Sequence, residues 1–459
     1  MEKIGRDEYM DEFGVIFNER FTIIKDVVEE VRDRLEEYII PDGVKEIGES
    51  AFEGCYNLQK IQIPDSVNII GKEAFAGCWT LESLSIPDSV NVIEDYAFPN
   101  KICYLQISER FLDRLDNIFW DYPCIFERDL VNVKTIHITG KANRPVAFSL
   151  SGAPKLEEFI VDSTCAFHCC IDGILYSKDQ KELIRCPSKM ERWIVPTAVN
   201  IEKIHEHAFE GCKNLKRIWI PDSVTEIGDE AFVGCEKIKT FNIPNNVRGI
   251  GFNWFNGCKS LQKVYVNDNF EINCVKYNVL GSGVKEILPD KSCTSYCSVD
   301  GVLFNHNKTH LVAFPPGKKV FEYNIPDDVM FVDEDAFLNS SIEKVFIPQS
   351  IASIGDRFSL KTVREVIVDK DNPVFSSRDG VLFNKDQTKL LFYPDGRNLE
   401  EYTIPDTVDD ISNYAFAQCS SLLNLNLYEQ KKWLKDDVTK QKGSSRIRVA
   451  WYSKNEKGC

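Results

Sequence analysis

A repeat of 23 residues constrains the fold of this chain more than any other feature of its sequence. One clear copy reads Ile220-Pro-Asp-Ser-Val-Thr-Glu-Ile-Gly-Asp-Glu-Ala-Phe-Val-Gly-Cys235, and the same pattern starts again at Ile243. A period of this length is typical of solenoids, in which each copy forms one coil that packs on its neighbours. Further copies, some of them degenerate, begin at Ile40, Ile63, Ile86, Val195, Ile325, Ile347 and Ile404.

Each copy contains the parts of one coil. Ile61 and Ile63 alternate with polar residues, which is the period of a strand with one buried face. Pro64 lacks a backbone donor and predicts that the strand ends there in a turn. A single coil cannot bury its apolar residues, so its neighbours must cover them for each to contribute about 1.5–3 kcal/mol. A second apolar set in the same copy comprises Val67, Ile70, Ala74 and Phe75.

These residues resemble the BspA-like leucine-rich repeats, whose units run as I-P-x-x-V-x-x-I-G-x-x-A-F-x-x-C-x-x-L-x-x-I. The resemblance covers about residues 13–427. It implies a leucine-rich-repeat solenoid of the α/β horseshoe class, mostly β with short helical turns, and a parallel strand ladder on its concave face. It also implies binding to other proteins, adhesion at cell surfaces in several members, and no catalytic activity.

The domain organisation follows from the limits of the repeat. We expect an N-terminal capping hairpin at 1–39, the solenoid at 40–427, and a C-terminal cap and tail at 428–459, with a cap helix around Trp433 and Leu434. Residues 19–37 also fit an acidic amphipathic helix. However, residues 14–24 align with 380–390, and both stretches run on to Leu-Glu-Glu-Tyr-x-Ile-Pro. We therefore expect a hairpin there, followed by at most a short helix.

Four insertions interrupt the regular coils. Phe111, Leu112, Leu115 and Phe119 lie at helical spacing and predict a helix near residues 108–119. Three related segments, each with an Asp-Gly pair followed by apolar residues, predict β-hairpins. These hairpins lie near 172–187, 300–315 and 379–394.

Charge and cysteine usage limit the partners and the compartment. The formal net charge of −16 opposes binding to nucleic acid or to an anionic membrane. Residues 1–12 show no signal peptide, and no apolar run is long enough to form a transmembrane segment. Six of the sixteen cysteines occupy one slot of the repeat, where a small thiol packs in the core. We therefore expect a cytoplasmic protein with reduced thiols.

Two groups of residues resemble metal sites. Cys165, His168, Cys169, Cys170 and Cys186 offer zinc ligands close together. The equivalent positions of the other hairpins hold cysteine, asparagine or serine, so we expect a structural role and no metal. His205 and His207 lack the helical spacing of a metalloprotease motif and fit a solvated turn. No nucleophile elbow and no phosphate-binding loop is present in the sequence.

The outward side of the strands is the candidate binding surface. The two residues that flank the middle apolar residue of each strand point away from the core. In the middle of the stack these positions hold basic and aromatic residues, which often dominate binding energy. Ring stacking that stabilises the sheet would explain the same pattern. The candidate binding residues on this concave face are Tyr104, His137, Arg217, Trp219, Lys263, Tyr265, Lys344 and Phe346.

Together these features predict a non-enzymatic scaffold, without a cofactor, that binds a protein or peptide partner. Trp219 and Tyr265 would anchor the partner, and Arg217 and Lys263 would favour an acidic one. A monomer is the default. The alternative is a cell-surface adhesin or host-interaction protein, as the resemblance implies. A further alternative, an enzyme built into residues 107–170 or 267–298, would need a pocket of convergent polar groups there.

Overall fold

The structure is a computed structural model of the full chain. It describes residues 1–115, 119–120, 132–140, 142–143, 153–194, 199–269, 283–355, 358, 362–416, 419, 421–431, 434 and 447–452. The chain divides into two compact units, one of Met1–Lys237 with Gly249–Gly251 and one of Ile238–Arg248 with Phe252–Cys459. Each unit is a β-solenoid of stacked coils with very little helix, which confirms the predicted fold class.

A regular coil contains two strands that stack on the next coil in two parallel ladders. In the coil of Ile61, the strand Lys60–Gln62 buries that residue and exposes its two neighbours. After the turn at Pro64, Ile70 of the second apolar set lies in a short strand, Ile69–Ile70, which pairs in parallel with Glu46–Ile47. We call the ladder of the first strands the main ladder, which is the predicted concave face, and the other the side ladder.

In the first unit, the main ladder comprises sheets of two, four and two strands. All neighbours within these sheets pair in parallel. The strands are Glu37–Ile39, Lys60–Gln62, Ser83–Ser85, Tyr104–Ser108, Thr135–Thr139, Glu158–Val161, Arg192–Ile194 and Arg217–Trp219. The side ladder contains Glu46–Ile47, Ile69–Ile70, Val92–Ile93, Lys203–Ile204, Glu226–Ile227 and Gly249–Ile250, and Phe98–Pro99 pairs separately with Phe119–Trp120.

The second unit has the same two ladders. Its main ladder forms three sheets of three parallel strands. The strands are Thr240–Asn242, Lys263–Val266, Glu286–Pro289, Glu322–Asn324, Lys344–Ile347, Glu365–Val368, Glu401–Thr403, Asn424–Tyr428 and Arg448–Tyr452. The side ladder contains Phe331–Val332, Ser353–Ile354 and Asp410–Ile411.

Antiparallel strands begin a new stretch of side ladder at four places. In each, three strands form a meander, and the third strand pairs in parallel with the first short strand of the side ladder. In the second of these meanders, Asp172 and Gly173 form the turn between the first two strands. Their φ angles are 51° and 77°, and a type I′ turn requires such positive values. The strands are Glu8–Met10, Val15–Asn18 and Ile23–Val27, with Glu2–Lys3 beside them; His168–Ile171, Ile174–Ser177 and Glu182–Arg185; Tyr296–Val299, Val302–Asn305 and His310–Ala313; and Phe375–Arg378, Val381–Asn384 and Lys389–Phe392.

The helices that lie wholly within the described residues are short. The α-helix Glu29–Arg32 follows the N-terminal meander, and the segment expected to be helical near 108–119 contains the 3-10 helix Glu109–Arg114. Two further 3-10 helices are Asp395–Arg397 and Glu429–Lys431. Among the described residues, no helix is both long and apolar enough to cross a bilayer.

The C-terminal segment contributes to the second unit. Strand Arg448–Tyr452 pairs in parallel with Asn424–Tyr428 and so extends the main ladder. Leu434 is buried in the core of this unit, whereas Trp433, which we expected in a cap helix, lies outside the described residues.

Aromatic and cysteine columns fill the core between the ladders. The buried rings of Phe52 and Phe75 stack with centroids 5.4 Å apart, and Phe98 continues the column at 6.2 Å. The Cys78 thiol donates a hydrogen bond to the carbonyl of Phe52 at 3.3 Å, and burial raises its pKa well above the ordinary value. The cysteine slot of the repeat therefore holds a packed, protonated thiol.

Replacing Gly71 with alanine is expected to lower the free energy of unfolding of the first unit by about 1–3 kcal/mol. A Cβ atom on Gly71 would lie 2.6 Å from the backbone nitrogen of Glu49 in the previous coil, so the coils would have to move apart. Urea unfolding monitored by circular dichroism measures the loss. Gly5→Ala is the control, since its Cβ would meet only the Glu8 side chain, at 3.3 Å or more. Equal stability of the two variants would contradict this account of coil spacing.

Candidate functional site

The outward positions of the main ladder lie in two columns. In Lys60–Gln62 and Ser83–Ser85 the middle residue is buried and both flanking residues are exposed, as period-two alternation requires. The eight candidate binding residues all occupy such flanking positions. Tyr104, His137, Arg217 and Trp219 lie in the first unit, and Lys263, Tyr265, Lys344 and Phe346 lie in the second.

Three polar residues form a hydrogen-bonded chain across the main ladder of the first unit. The Tyr104 hydroxyl lies 2.9 Å from Nδ1 of His137, and Nε2 of that histidine lies 2.9 Å from Oδ1 of Asp162. Partial burial, and secondarily the Asp162 charge, raise the pKa of Tyr104. Each of the three side chains has a hydrogen-bond partner within the chain, so this part of the ladder is preorganised. Because its pKa is raised, Tyr104 stays protonated at neutral pH.

Trp219 and Arg217 belong to an exposed patch that also contains two residues absent from the sequence-based prediction. Strand Arg192–Ile194 pairs in register with Arg217–Trp219, which places Arg192 beside Arg217 and Ile194 beside Trp219. Ile194 is 66% exposed and Trp219 is 59% exposed. Both arginines are exposed as well. We call these four residues the Arg-Trp patch.

The candidate lysines of the second unit are paired within the ladder. Lys263 Nζ lies 3.0 Å from Oε2 of Glu286 on the next strand, and Lys344 Nζ lies 3.0 Å from Oε2 of Glu365. The hydrogen bond that Lys263 donates to Glu286 raises the pKa of Lys263. Lys344 also lies over the Phe346 ring, 5.2 Å from its centroid. Each lysine therefore has a carboxylate neighbour in register that reduces its attraction for an acidic partner.

The cysteines near His168 point to separate carbonyl groups. The thiols of Cys165, Cys169 and Cys170 donate to the carbonyls of Ile138, Ser177 and Phe159, at 3.4, 3.1 and 2.9 Å. Burial raises the pKa of Cys165 to about 12 and that of Cys170 to about 11. Each thiol thus has its own acceptor. Within the described part of the chain, no three His, Cys, Asp or Glu side chains are placed to share a metal ion.

His168 instead takes part in a buried clamp that sequence reasoning missed. Glu109 is fully buried and accepts hydrogen bonds from the backbone N–H groups of Ala142, Ala166, Phe167 and His168 at 2.9–3.2 Å. Nδ1 of His168 lies 2.6 Å from the same carboxylate. Burial by itself would raise the pKa of Glu109, but these hydrogen bonds outweigh it and lower the pKa to about 2. The 3-10 helix is thereby fixed to the hairpin.

In the second unit, side-chain oxygens also accept hydrogen bonds from backbone N–H groups at the hairpins. Asp268 accepts from the backbone N–H groups of Thr294 and Ser295, at the positions that Glu109 binds in the first unit. Hydrogen bonds from Ser295, Cys293 and Thr294 hold the pKa of Asp268 well below its usual range. At the last hairpin, the side-chain oxygen of Asn372 accepts from Val374 and Phe375 at 2.9 and 2.7 Å. Glu109 and Asp268 lie at least 33 and 26 residues before the N–H groups that they bind, so no short motif reveals these two acceptors. Asn372 differs, since its donors lie only two and three residues further along the chain.

The histidines of the His205–His207 turn pair with carboxylates. His205 Nε2 lies 2.6 Å from Oε2 of Glu182, and His207 Nδ1 lies 3.3 Å from Oε2 of Glu210. Pairing with the Glu210 carboxylate raises the pKa of His207. The turn is therefore less solvated than its sequence indicated. His205 links it to the neighbouring strand Glu182–Arg185, and His207 pairs with a carboxylate of the turn itself.

Comparisons with known proteins identify the type of repeat. A family model described as "BspA type Leucine rich repeat region" matches residues 22–139, 186–282, 312–370 and 389–447 in six copies. A search of the curated proteins found no match.

Solved structures of bacterial repeat proteins are similar to this chain. A leucine-rich repeat protein from Eubacterium ventriosum is 17% identical, with a TM-score of 0.39 over 90% of this chain and 92% of that one. A leucine rich cell surface protein from Faecalibacterium prausnitzii is 16% identical, with a TM-score of 0.34 over 100% and 96%. A leucine-rich repeat protein from Bacteroides ovatus is 18% identical, with a TM-score of 0.32 over 98% and 100%.

Proposed function

The chain belongs to the BspA-type leucine-rich-repeat family, and from this premise we propose that it is a non-enzymatic scaffold that binds a protein or peptide through its main ladder. The observation that carries the proposal is the exposure of Trp219 and Ile194 on adjacent strands. A solvent-exposed indole on a rigid sheet is an unused source of binding energy, since burying it in a partner removes its apolar surface from water.

The alternative explanation of the exposed aromatics is ring stacking within the sheet. Tyr104 fits that alternative in part, because its ring packs against the ring of His137 with centroids 6.4 Å apart. Trp219 does not fit it, since its in-register neighbour is Ile194. Among the described residues Trp219 makes no ring-ring contact, so the contribution of its indole to stability is small.

We expect Trp219→Ala to weaken partner binding by roughly tenfold to a hundredfold, as loss of an interface aromatic does. Tyr265→Ala tests the second unit separately. The partner is first captured from the native source by crosslinking and then purified, and its affinity is measured by calorimetry. Tyr56→Ala is a matched control, because this tyrosine is 49% exposed in the first unit but lies off the ladder.

Trp219→Ala should keep the wild-type unfolding midpoint, since substitutions of exposed residues change stability by about 0.5 kcal/mol or less. Tyr265 is partly buried, so the unfolding midpoint of Tyr265→Ala is measured beside its affinity. Wild-type affinity in Trp219→Ala, with the fold intact, would rule out the Arg-Trp patch as the site.

A further inference from the structure

We infer that the Arg-Trp patch selects an extended acidic segment of a partner protein, in which an acidic residue is followed two positions later by a bulky apolar one. This inference rests on the proposed function and specifies the partner that the ladder of the first unit takes. It starts from the in-register pairs Arg192 with Arg217 and Ile194 with Trp219.

The two arginines form a positive spot without a counterion in the part of the chain that the structure describes. Neighbouring strands lie about 4.8 Å apart, so two guanidinium groups in register repel each other unless an anion lies between them. The adjacent carboxylate of Glu191 is already held by Lys216, whose Nζ lies 3.0 Å from it. Lys263 and Lys344 differ in this respect, since Glu286 and Glu365 occupy the matching positions beside them.

A carboxylate is the anion that this spot fits when the partner is a protein. Arginine presents planar, paired donors that bind both oxygens of a carboxylate, and two of them side by side can share one acidic side chain. Because the chain carries a formal net charge of −16, an acidic partner is repelled elsewhere on its surface. The spot therefore supplies specificity as well as attraction.

The apolar half of the patch determines where the partner carries its apolar residue relative to its acidic one. Arg192 and Ile194 are two residues apart on one strand, which is about 6.8 Å in an extended chain. An extended peptide lying over the strand has the same spacing between alternate side chains. When an acidic residue of the peptide lies above the two arginines, the residue two positions later lies above Ile194 and Trp219. Both of these side chains expose most of their apolar surface.

The test uses full-length protein and fluorescein-labelled peptides, with anisotropy as the readout. The probe repeats Glu-Ser-Phe-Ser, and its two comparison peptides repeat Gln-Ser-Phe-Ser and Glu-Ser-Ser-Ser. We expect the probe to bind at least ten times more tightly than either comparison peptide. We also expect its affinity to fall as salt rises, because exposed charges are screened.

Variants identify the residues that recognise the probe. Arg192→Gln with Arg217→Gln should weaken binding of the probe at least tenfold and remove its preference over the glutamine peptide. The corresponding double lysine variant should recover part of the affinity but not all of it. Lys134→Gln with Lys213→Gln is the matched control, since it makes the same change in net charge at exposed residues off the ladder and should stay within about twofold of wild type.

The outcomes separate this inference from the function on which it rests. If Trp219→Ala weakens binding of the native partner but the double glutamine variant does not, the ladder binds a partner and the inference is wrong. Equal binding of the glutamate and glutamine peptides would overturn the inference in the same way. If neither Trp219→Ala nor the double glutamine variant changes binding of the native partner, the proposed site itself fails.

Discussion

Glu109→Ala is expected to lower the free energy of unfolding of the first unit by about 3–5 kcal/mol, as the loss of one member of a buried charged network does. The substitution leaves the backbone N–H groups of Ala142, Ala166, Phe167 and His168 without their acceptor, and each buried donor that stays unpaired costs about 1–3 kcal/mol. Urea unfolding at neutral pH measures the change.

Glu109→Gln provides the matched variant, because it keeps the size and one acceptor oxygen. It should be less destabilising than the alanine variant, and it should change the response to acid. The folded-state pKa of Glu109, about 2, is below its ordinary value of 4.5, so its charge contributes stability that is fully present above pH 4.5 and is lost as the pH falls toward 2. That contribution is about 3 kcal/mol at neutral pH.

The difference in stability between wild type and Glu109→Gln isolates this group from the other carboxylates. It should be largest above pH 5 and shrink between pH 4.5 and 2. A difference that stays constant over this range would show that the charge of Glu109 is not responsible. Equal stability of Glu109→Ala and wild type would show that the clamp does not hold the hairpin.

The fold was predictable from the sequence because the same pattern of strand, turn and buried residues recurs in many copies. The alternation at Ile61 and Ile63, the proline that follows and the Ala74-Phe75 pair recur, so tertiary contacts follow from the period once neighbours are known to stack. The second apolar set was recognised in the sequence, but its part in a second ladder was not. Ile70 of that set and its neighbour Ile69 pair with the coils on both sides, a contact that one copy alone cannot specify.

The candidate site was predictable only in part. Period-two alternation indicates which side chains face outward, and Trp219 is as exposed as that pattern requires. It does not indicate which charges neutralise each other. Glu286, which pairs with Lys263, lies within residues 267–298, where the sequence shows no clear copy of the repeat. Arg192 lies in a strand after a hairpin and also outside the clear copies. Glu286 becomes a neighbour of Lys263, and Arg192 a neighbour of Arg217, only when the strands pair in the ladder. The sequence therefore could not indicate that Lys263 has a carboxylate beside it and that Arg217 has a second arginine.

Phe209→Ala tests whether the core beneath the Arg-Trp patch holds it in place. Phe209 is fully buried, and its ring centroid lies 5.2 Å from that of Trp193 and 5.3 Å from that of Phe232. Removing the ring should cost about 3–5 kcal/mol, through lost burial and the cavity that remains. Trp193 is the inward residue of strand Arg192–Ile194, so the cavity opens directly beneath half of the patch.

Phe52→Ala is the matched comparison, because Phe52 is equally buried and stacks on Phe75 in coils far along the chain from the patch. In a solenoid each coil contacts chiefly its neighbours, so the effect of a cavity is local as long as the unit stays folded. We expect both variants to lose similar free energy in urea unfolding, but only Phe209→Ala to weaken binding of the acidic probe at low temperature without denaturant. Equal weakening in both would mean that the first unit transmits the loss of one core ring along its whole length, and the patch would then depend on the stability of the entire unit.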